Sequence, residues 1–140
     1  MDYKRFDNII AVRLDKDDEI SEQIKLIAEK ENITAGSVSG IGATDDFTIG
    51  VFDLEKSDYE QFSFTGNHEI TSLSGNISTM NGEKYVHLHI TCAGKEGKIV
   101  GGHLLKGVIS LTGEIFISVA DGLIDRKRDE TLGINRFILS

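Results

Sequence analysis

The 140-residue sequence contains no proline and no tryptophan, and it has a single cysteine, Cys92. One cysteine cannot form a disulfide within the chain, so we expect a small buried thiol in a reducing compartment. Without proline or a Ser-rich linker, the sequence offers no break at which a second domain would begin. We therefore expect one domain spanning residues 1–140, a length that suffices for a single hydrophobic core.

Long hydrophobic runs and an excess of basic residues are absent as well. No apolar stretch approaches the ~20 residues that a membrane helix requires, so we expect no membrane partner. The start, MDYKRFDNII, has no apolar signal core, and we expect a cytoplasmic location. Asp and Glu number 23 against 15 Lys and Arg, for a net charge of -8. This charge disfavours DNA as a partner, because the phosphate backbone is bound through Lys and Arg.

The densest basic run, RKR at residues 126–128, does not change this expectation. Acidic residues stand on both sides of it, at Asp125, Asp129 and Glu130. We interpret the run as a solvated loop, because charges of mixed sign at this density are typical of an exposed segment.

One segment, at about residues 17–31, has the periodicity of an amphipathic helix. Its apolar side chains recur at positions i, i+4, i+7 and i+8, namely Ile20, Ile24, Ile27 and Ala28. Asp15, Asp17 and Asp18 are candidate N-caps, and Asn32 is a candidate stop. We expect this helix to lie on the core with one face and to meet water with the other.

Most of the remaining sequence is typical of β-strands, in short runs rich in Ile, Val, Phe and Thr. The predicted strands are residues 8–14, 36–39, 47–53, 59–64, 69–77, 84–91, 103–111, 114–119 and 134–139. These are too many for a flat sheet beneath one helix. The hairpin signals at residues 81–82 and 95–97 favour antiparallel pairing. We therefore predict an α+β fold, a strongly bent antiparallel sheet or partial barrel with the helix packed on it.

The segment SVSGIGATDD begins like a dinucleotide-binding fingerprint at Gly40-Ile41-Gly42. The sixth position of that pattern is Asp45, and a strand-like run follows where a helix should begin. We therefore reject a Rossmann fold. Our interpretation is a tight glycine turn between two strands, with Ser39 and Thr44 as turn residues.

Three of the four histidines lie in VHLHITCAGKEGKIVGGH, residues 86–103. His87 and His89 are two apart in a predicted strand and so share one face. Gly101-Gly102 indicates close backbone approach beside His103, which reaches the pair if its strand returns next to the first. Three imidazoles with an open coordination position are typical of a reactive metal site. The alternative is three half-exposed polar residues of a sheet.

The fourth histidine and two glutamates are further candidates. We favour an exposed loop for His68, with support of a metal-ligating histidine as the alternative. Glu69 and Glu114 each begin an apolar, β-rich run, and either becomes a candidate general acid or base if it lines the histidine pocket. A rim position is the commoner role for such glutamates.

The motifs SGIGATDDFTIGVFD, HEITSLSGNIS, YVHLHITCAGKEGKIVGGHLLKGVI and GEIFIS occur in this order. Together they resemble the PPC domain, the plant and prokaryote conserved domain that also occurs in plant AT-hook nuclear proteins. The resemblance covers essentially the whole chain. It implies a compact α+β fold with a bent antiparallel sheet and a homotrimer with sites near the subunit boundaries. It also implies metal ligation by His87, His89 and His103, as in some prokaryotic members.

Three functions follow as hypotheses. The first is a divalent metal, with zinc as the leading candidate, bound at a site for a small molecule; an enzyme of this kind would be a metal-dependent lyase or hydrolase. The second is a DNA-binding or transcription-associated regulatory protein. The plant relatives contact DNA through an AT-hook, a basic arm that this sequence lacks. The third is an interaction module without metal or ligand.

Overall fold

Eight β-strands and one α-helix form in the computed structural model, which describes residues 1–140. In chain order they are β1 (Asp2–Phe6), β2 (Ile9–Asp15), α1 (Ile20–Lys30), β3 (Gly36–Asp53), β4 (Asp58–Met80), β5 (Glu83–Ala93), β6 (Ile99–Val119), β7 (Asp125–Asp129) and β8 (Ile134–Ile138). A short 3-10 turn at Lys95–Gly97 joins β5 to β6. No helix has the length and hydrophobicity needed to cross a bilayer.

The four central strands close into a ring of hydrogen-bonded pairs. Strand β3 pairs with β4 and β6, and β5 pairs with the same two strands, all antiparallel. The β1–β2 hairpin extends the sheet from β6, and the β7–β8 hairpin joins β4 through one parallel pair, Thr79 with Asp125. The predicted α+β fold with a strongly bent antiparallel sheet is confirmed. The ring is not a regular barrel.

The long strands differ from the short ones predicted. Strands β3, β4 and β6 each run through two predicted strands and the residues between them, and register shifts mark where they bend. The predicted hairpin turn at Asn81-Gly82 is confirmed, with φ angles of 52° and 81° that suit a two-residue hairpin loop. Strands β1 and β7 escaped prediction because their sequences, DYKRF and DRKRD, are mostly charged.

The predicted glycine turn at residues 40–42 is wrong, because β3 continues through it. Added Cβ atoms at Gly40 and Gly42 would lie 2.8 and 2.5 Å from backbone oxygens of Glu114 and Thr112 in β6. These glycines therefore permit close approach of two strands rather than a reversal of the chain. The turn roles of Ser39 and Thr44 fail for the same reason; Thr44 is buried and its hydroxyl donates to the Val108 carbonyl at 2.6 Å.

The helix has the predicted buried face but a different N-cap. Its buried residues are Ile20, Ile24, Ile27 and Ala28, as the periodicity predicted. The N-cap is Glu19, whose carboxylate accepts the Glu22 N–H at 2.7 Å, so none of the three predicted aspartates caps the helix. Asp18 instead accepts the Asp15 N–H, and the chain turns at Asp17 with a φ of 73°.

The helix covers a core that the sheet residues complete. Helix α1 contacts β5 and β6, the strands that carry the histidine motif. Phe47 and Ile117 are fully buried in the same apolar cluster as the helix face. Cys92 is a fully buried free thiol, as expected, and burial raises its pKa to about 11. One face of β5 therefore packs on the core, which supports the opposite face of the strand.

Candidate metal centre

Strand pairing brings the three predicted histidines together. His87 and His89 point to one face of β5, and β6 returns antiparallel so that His103 stands directly opposite His89. Added Cβ atoms at Gly101 and Gly102 would lie 2.6 and 2.8 Å from backbone oxygens of neighbouring strands. The close backbone approach expected from the glycine pair is therefore present, and it sets His103 beside the other two.

The three imidazoles form a compact triangle. Their ring centroids are 5.2 Å apart for His87 and His89, 5.0 Å for His87 and His103, and 5.7 Å for His89 and His103. One nitrogen from each ring lies within 4.8 Å of the other two. His87 and His103 are half-buried and His89 is exposed. This arrangement can offer three nitrogen ligands to one ion from the solvent side of the sheet.

The surroundings keep two of the three rings neutral. Burial, together with the nearby His103, Arg126 and His89, lowers the pKa of His87 to about 4. Burial also lowers the pKa of His103, with His89 as the second cause. At neutral pH both rings are therefore unprotonated, which is the form that coordinates a metal ion.

His103 carries the observation that tests whether a metal ion fits. Its Nδ1 atom is buried and has no hydrogen-bond partner. Buried polar atoms are normally hydrogen-bonded, so this unpaired nitrogen is unusual. Coordination of a metal ion would give the His103 ring the polar partner that it lacks. The Tyr59 ring stacks on His103 at a centroid distance of 4.7 Å and fixes the plane of the imidazole. A set of three imidazoles suits zinc and related divalent ions.

A small recess opens beside two of the histidines. Its volume is about 240 Å³, and its lining consists of Ser74, Gly75, Asn76, His87 and His89. Asn76 stands directly across the β4–β5 ladder from His87, and Ser74 stands across from His89. The recess therefore presents hydroxyl and amide groups next to the imidazoles, in a space that suits a small molecule.

The two candidate glutamates lie elsewhere in the chain. Glu69 and Glu114 line a second recess of about 450 Å³, together with the apolar Ile41 and Leu111, and neither lines the histidine recess. The two carboxylates are thus close to each other along the ring of strands. One chain by itself does not bring them to the histidines.

The predicted loop position of His68 is wrong. His68 lies within β4 and is half-buried. Its ring packs edge-on against Phe47 at a centroid distance of 5.0 Å, and its Nδ1 lies 2.7 Å from the Gly66 carbonyl oxygen. The sequence GNHEI did not reveal this, because its polar residues also suit a loop.

Arg126 is the residue that sequence reasoning missed. The predicted solvated loop at 126–128 is wrong, because these residues belong to β7 and Arg126 is only 6% exposed. Its guanidinium lies between the rings of Tyr85 and Phe137, 4.6 and 4.4 Å from their centroids. Because DRKRD contains no apolar residue, no hydrophobic pattern marks Arg126 as buried.

A comparison with known protein families finds one family whose model covers most of this chain. The family model of the Plants and Prokaryotes Conserved (PCC) domain matches residues 1–121. The chain belongs to the PCC family. This is the family that the sequence motifs resemble, and its match contains all three histidines of the candidate metal centre. The β7–β8 hairpin, and Arg126 with it, lies beyond the matched residues.

Solved structures resemble this PCC-family chain over nearly its whole length. A protein from Bacteroides thetaiotaomicron named "putative dna binding protein" is 31% identical, with a TM-score of 0.94 over 98% of this chain and 96% of that one. A plant- and prokaryote-conserved protein from Pyrococcus horikoshii is also 31% identical, with a TM-score of 0.87 over 98% and 93%. A metal-containing protein from Archaeoglobus fulgidus is 28% identical, with a TM-score of 0.86 over 98% and 96%. No curated protein sequence gives a significant match.

Proposed function

We propose that this PCC-family chain binds a divalent metal ion through His87, His89 and His103 at a site for a small molecule. The observation that carries the proposal is the placement of three imidazole nitrogens within 4.8 Å of one another on two adjacent strands. The metal-containing relative from Archaeoglobus fulgidus supports it. Zinc is the ion we propose, because it takes imidazole nitrogens and keeps an open position when three protein ligands are present.

The chemistry of such a site is that of an open coordination position. Three neutral imidazoles leave the positive charge of a bound divalent ion uncompensated, and the ion then supplies Lewis acidity to an oxygen of the ligand. The recess beside His87 and His89 is where the ligand binds in this proposal. If the protein has turnover, we propose a metal-dependent lyase or hydrolase acting on a small molecule.

Proton transfer in that reaction would fall to Glu69 or Glu114. Both line a recess separate from the histidines, so either residue takes this role only where assembly brings it to the metal site of a neighbouring protomer. A crystal structure of the metal-loaded assembly tests the role directly. If both carboxylates lie remote from the histidines of every protomer, neither is the acid or base.

We propose a homotrimer as the assembled state. The feature that supports assembly is an exposed apolar patch made of Ile41 and Leu111, which are 58% and 73% exposed and line one recess. Exposed apolar side chains gathered on one surface are typical of interaction sites. The patch includes residues of the recess that holds the two glutamates.

The test of the metal site is elemental analysis of protein purified without a histidine tag. We expect close to one divalent ion per chain, and loss of that ion in the His87→Ala/His89→Ala double variant. Circular dichroism of both proteins shows whether the variant keeps its fold. Absence of metal after incubation with Zn²⁺, Mn²⁺, Fe²⁺ and Ni²⁺ would contradict the proposal and leave the histidines as ordinary sheet residues.

DNA binding is the alternative that the name of the Bacteroides relative favours. It predicts a mobility shift of duplex DNA that weakens steeply with salt. The basic residues of the C-terminal hairpin give it little support, because Arg128 lies 4.0 Å from the Glu130 carboxylate and Arg136 pairs with Asp129 at 2.6 Å. Absence of a shift at low salt would remove this alternative.

A further inference from the structure

Arg126 is a buried positive charge without an acidic partner. It is 6% exposed, and no carboxylate lies within ion-pair distance of its guanidinium. Its bonds go to neutral oxygens: the Ser78 hydroxyl at 2.8 Å, the Asn135 backbone carbonyl at 3.0 Å and the Asn76 side-chain carbonyl at 2.7 Å. The Tyr85 and Phe137 rings offset part of the cost of burying this charge, and an anion that pairs with it would offset more, which would explain its retention.

The acidic residues of the same hairpin are committed elsewhere. Asp125 accepts the Thr79 hydroxyl at 2.9 Å, and Asp129 pairs with Arg136. Glu130, the third acid of the hairpin, lies 4.0 Å from Arg128, so none of the three carboxylates pairs with Arg126. Each terminal nitrogen of the guanidinium, Nη1 and Nη2, donates one of its two N–H groups, so each keeps one N–H for a further acceptor.

Asn76 connects this charge to the candidate metal centre. Its side chain accepts the Arg126 Nη2–H, and the same residue lines the recess with His87 and His89. Asn76 stands directly across the strand ladder from His87. Arg126 itself does not line the recess, but its guanidinium lies 2.7 Å from the Asn76 oxygen, so an anion in the recess reaches it when the Asn76 side chain moves aside.

We propose that Arg126 selects the ligand of this recess, a small molecule that carries a carboxylate. The inference rests on the proposed metal function and names its substrate class. The carboxylate replaces the neutral Asn76 oxygen at the guanidinium, so an ion pair takes the place of a hydrogen bond to an uncharged acceptor. The planar guanidinium matches the two oxygens of a carboxylate. One guanidinium pairs with one carboxylate group, and a recess of about 240 Å³ suits a small ligand.

The test compares two probes of nearly equal shape, glycolate and its neutral amide, glycolamide. The protein is loaded with Co²⁺, whose visible spectrum reports ligand entry at the metal, and each probe is titrated. The measured quantity is the preference, the ratio of the two dissociation constants. A metal ion by itself also binds glycolate more tightly than glycolamide. The contribution of Arg126 is therefore measured as the difference in preference between the wild-type chain and its variants.

Three variants separate the guanidinium from other causes. Asn76→Asp places a carboxylate of the same size beside Arg126 and keeps the buried packing, whereas Arg126→Gln removes the charge. We expect each to lower the preference for glycolate by about tenfold, the loss of one charge-assisted hydrogen bond. Arg128→Gln, a charge removal at an exposed position of the same strand, should leave the preference unchanged. Metal content and circular dichroism are measured for every variant.

The outcomes are distinct. An unchanged preference in metal-loaded, folded Asn76→Asp would overturn the role of Arg126 and leave the metal site standing. Failure of the wild-type chain to bind Co²⁺ would overturn the metal site and this inference together. If Arg126→Gln does not fold, Asn76→Asp decides alone, because it keeps the guanidinium and both stacking rings.

Discussion

At the scale of single residues, the three imidazoles contribute unequally to the site. His87 and His103 are half-buried and held by the sheet, whereas His89 stands exposed at the solvent side. An exposed ligand can be removed with little effect on packing. His89 therefore separates a metal-binding role from a structural one.

We predict that His89→Ala abolishes stoichiometric metal binding and leaves the fold intact. The free energy of unfolding of the metal-free protein should change by less than about 0.5 kcal/mol, as for most exposed substitutions. Elemental analysis and urea denaturation, each followed in wild type and variant, measure the two effects. Unfolding of the metal-free variant would instead assign His89 a structural role.

The low pKa of His87 predicts how stability of the metal-free protein depends on pH. The unfolded chain binds a proton at His87 near the ordinary value of 6.5, and the folded chain binds it only near about 4. Between these values the unfolded state holds more protons, so stability falls as the pH falls from 6.5 to 4. Above 6.5 both states are neutral at this residue and the contribution is constant.

Thermal melts in metal-free buffer across this pH range measure the effect. The matched variant is His87→Asn, which keeps a polar side chain of similar reach and cannot titrate. We expect the decline between pH 6.5 and 4 to be shallower in the variant than in the wild-type protein. Parallel curves for the two proteins would show that His87 is not the group responsible.

At the scale of elements, the approach of β4 to β5 sets the geometry of the site. Gly75 stands across the ladder from Leu88, between the positions that face His87 and His89. A Cβ atom at Gly75 would lie 1.9 Å from the backbone oxygen of His87. No side chain can therefore occupy this position without separating the two strands.

We predict that Gly75→Ala destabilises the protein by about 1–3 kcal/mol or more, the usual cost of overpacking a close-packed site. The control is Gly107→Ala, where an added Cβ would meet only the ends of the Ile20 and Leu104 side chains, at 3.1 and 3.2 Å. These flexible groups can move, so the control should lose less. Urea denaturation of both variants measures the difference, and equal losses would contradict the strand-approach explanation.

The elements also show what the sequence could predict. The buried face of α1 followed from its 3.6-residue period, and the histidine cluster followed from the two-residue period of β5 and from Gly101-Gly102. The continuity of β3 did not follow, because Gly40 and Gly42 are as typical of a turn as of closely approaching strands. The buried Arg126 did not follow either, since its cover comes from Tyr85 and Phe137, which are distant in the sequence.

At the scale of the whole molecule, the closed ring of strands leaves apolar side chains on its outer surface. Ile41 and Leu111 line one recess of that surface. We predict that the chain forms a homotrimer through this patch, with a mass three times the chain mass of 15.4 kDa. Light scattering coupled to size-exclusion chromatography measures that mass.

Leu111→Glu should shift the protein toward monomer, because the new carboxylate would lose its hydration in an apolar interface. The control is Leu54→Glu, at an equally accessible position that is 80% exposed and lies between β3 and β4, outside the patch. Both substitutions add one negative charge, so a difference between them reports position rather than charge. A Leu111→Glu variant that stays trimeric would exclude this patch as the interface, and a monomeric wild type would exclude the trimer. Leu111→Glu should also keep its metal, because none of the three histidine ligands belongs to the patch.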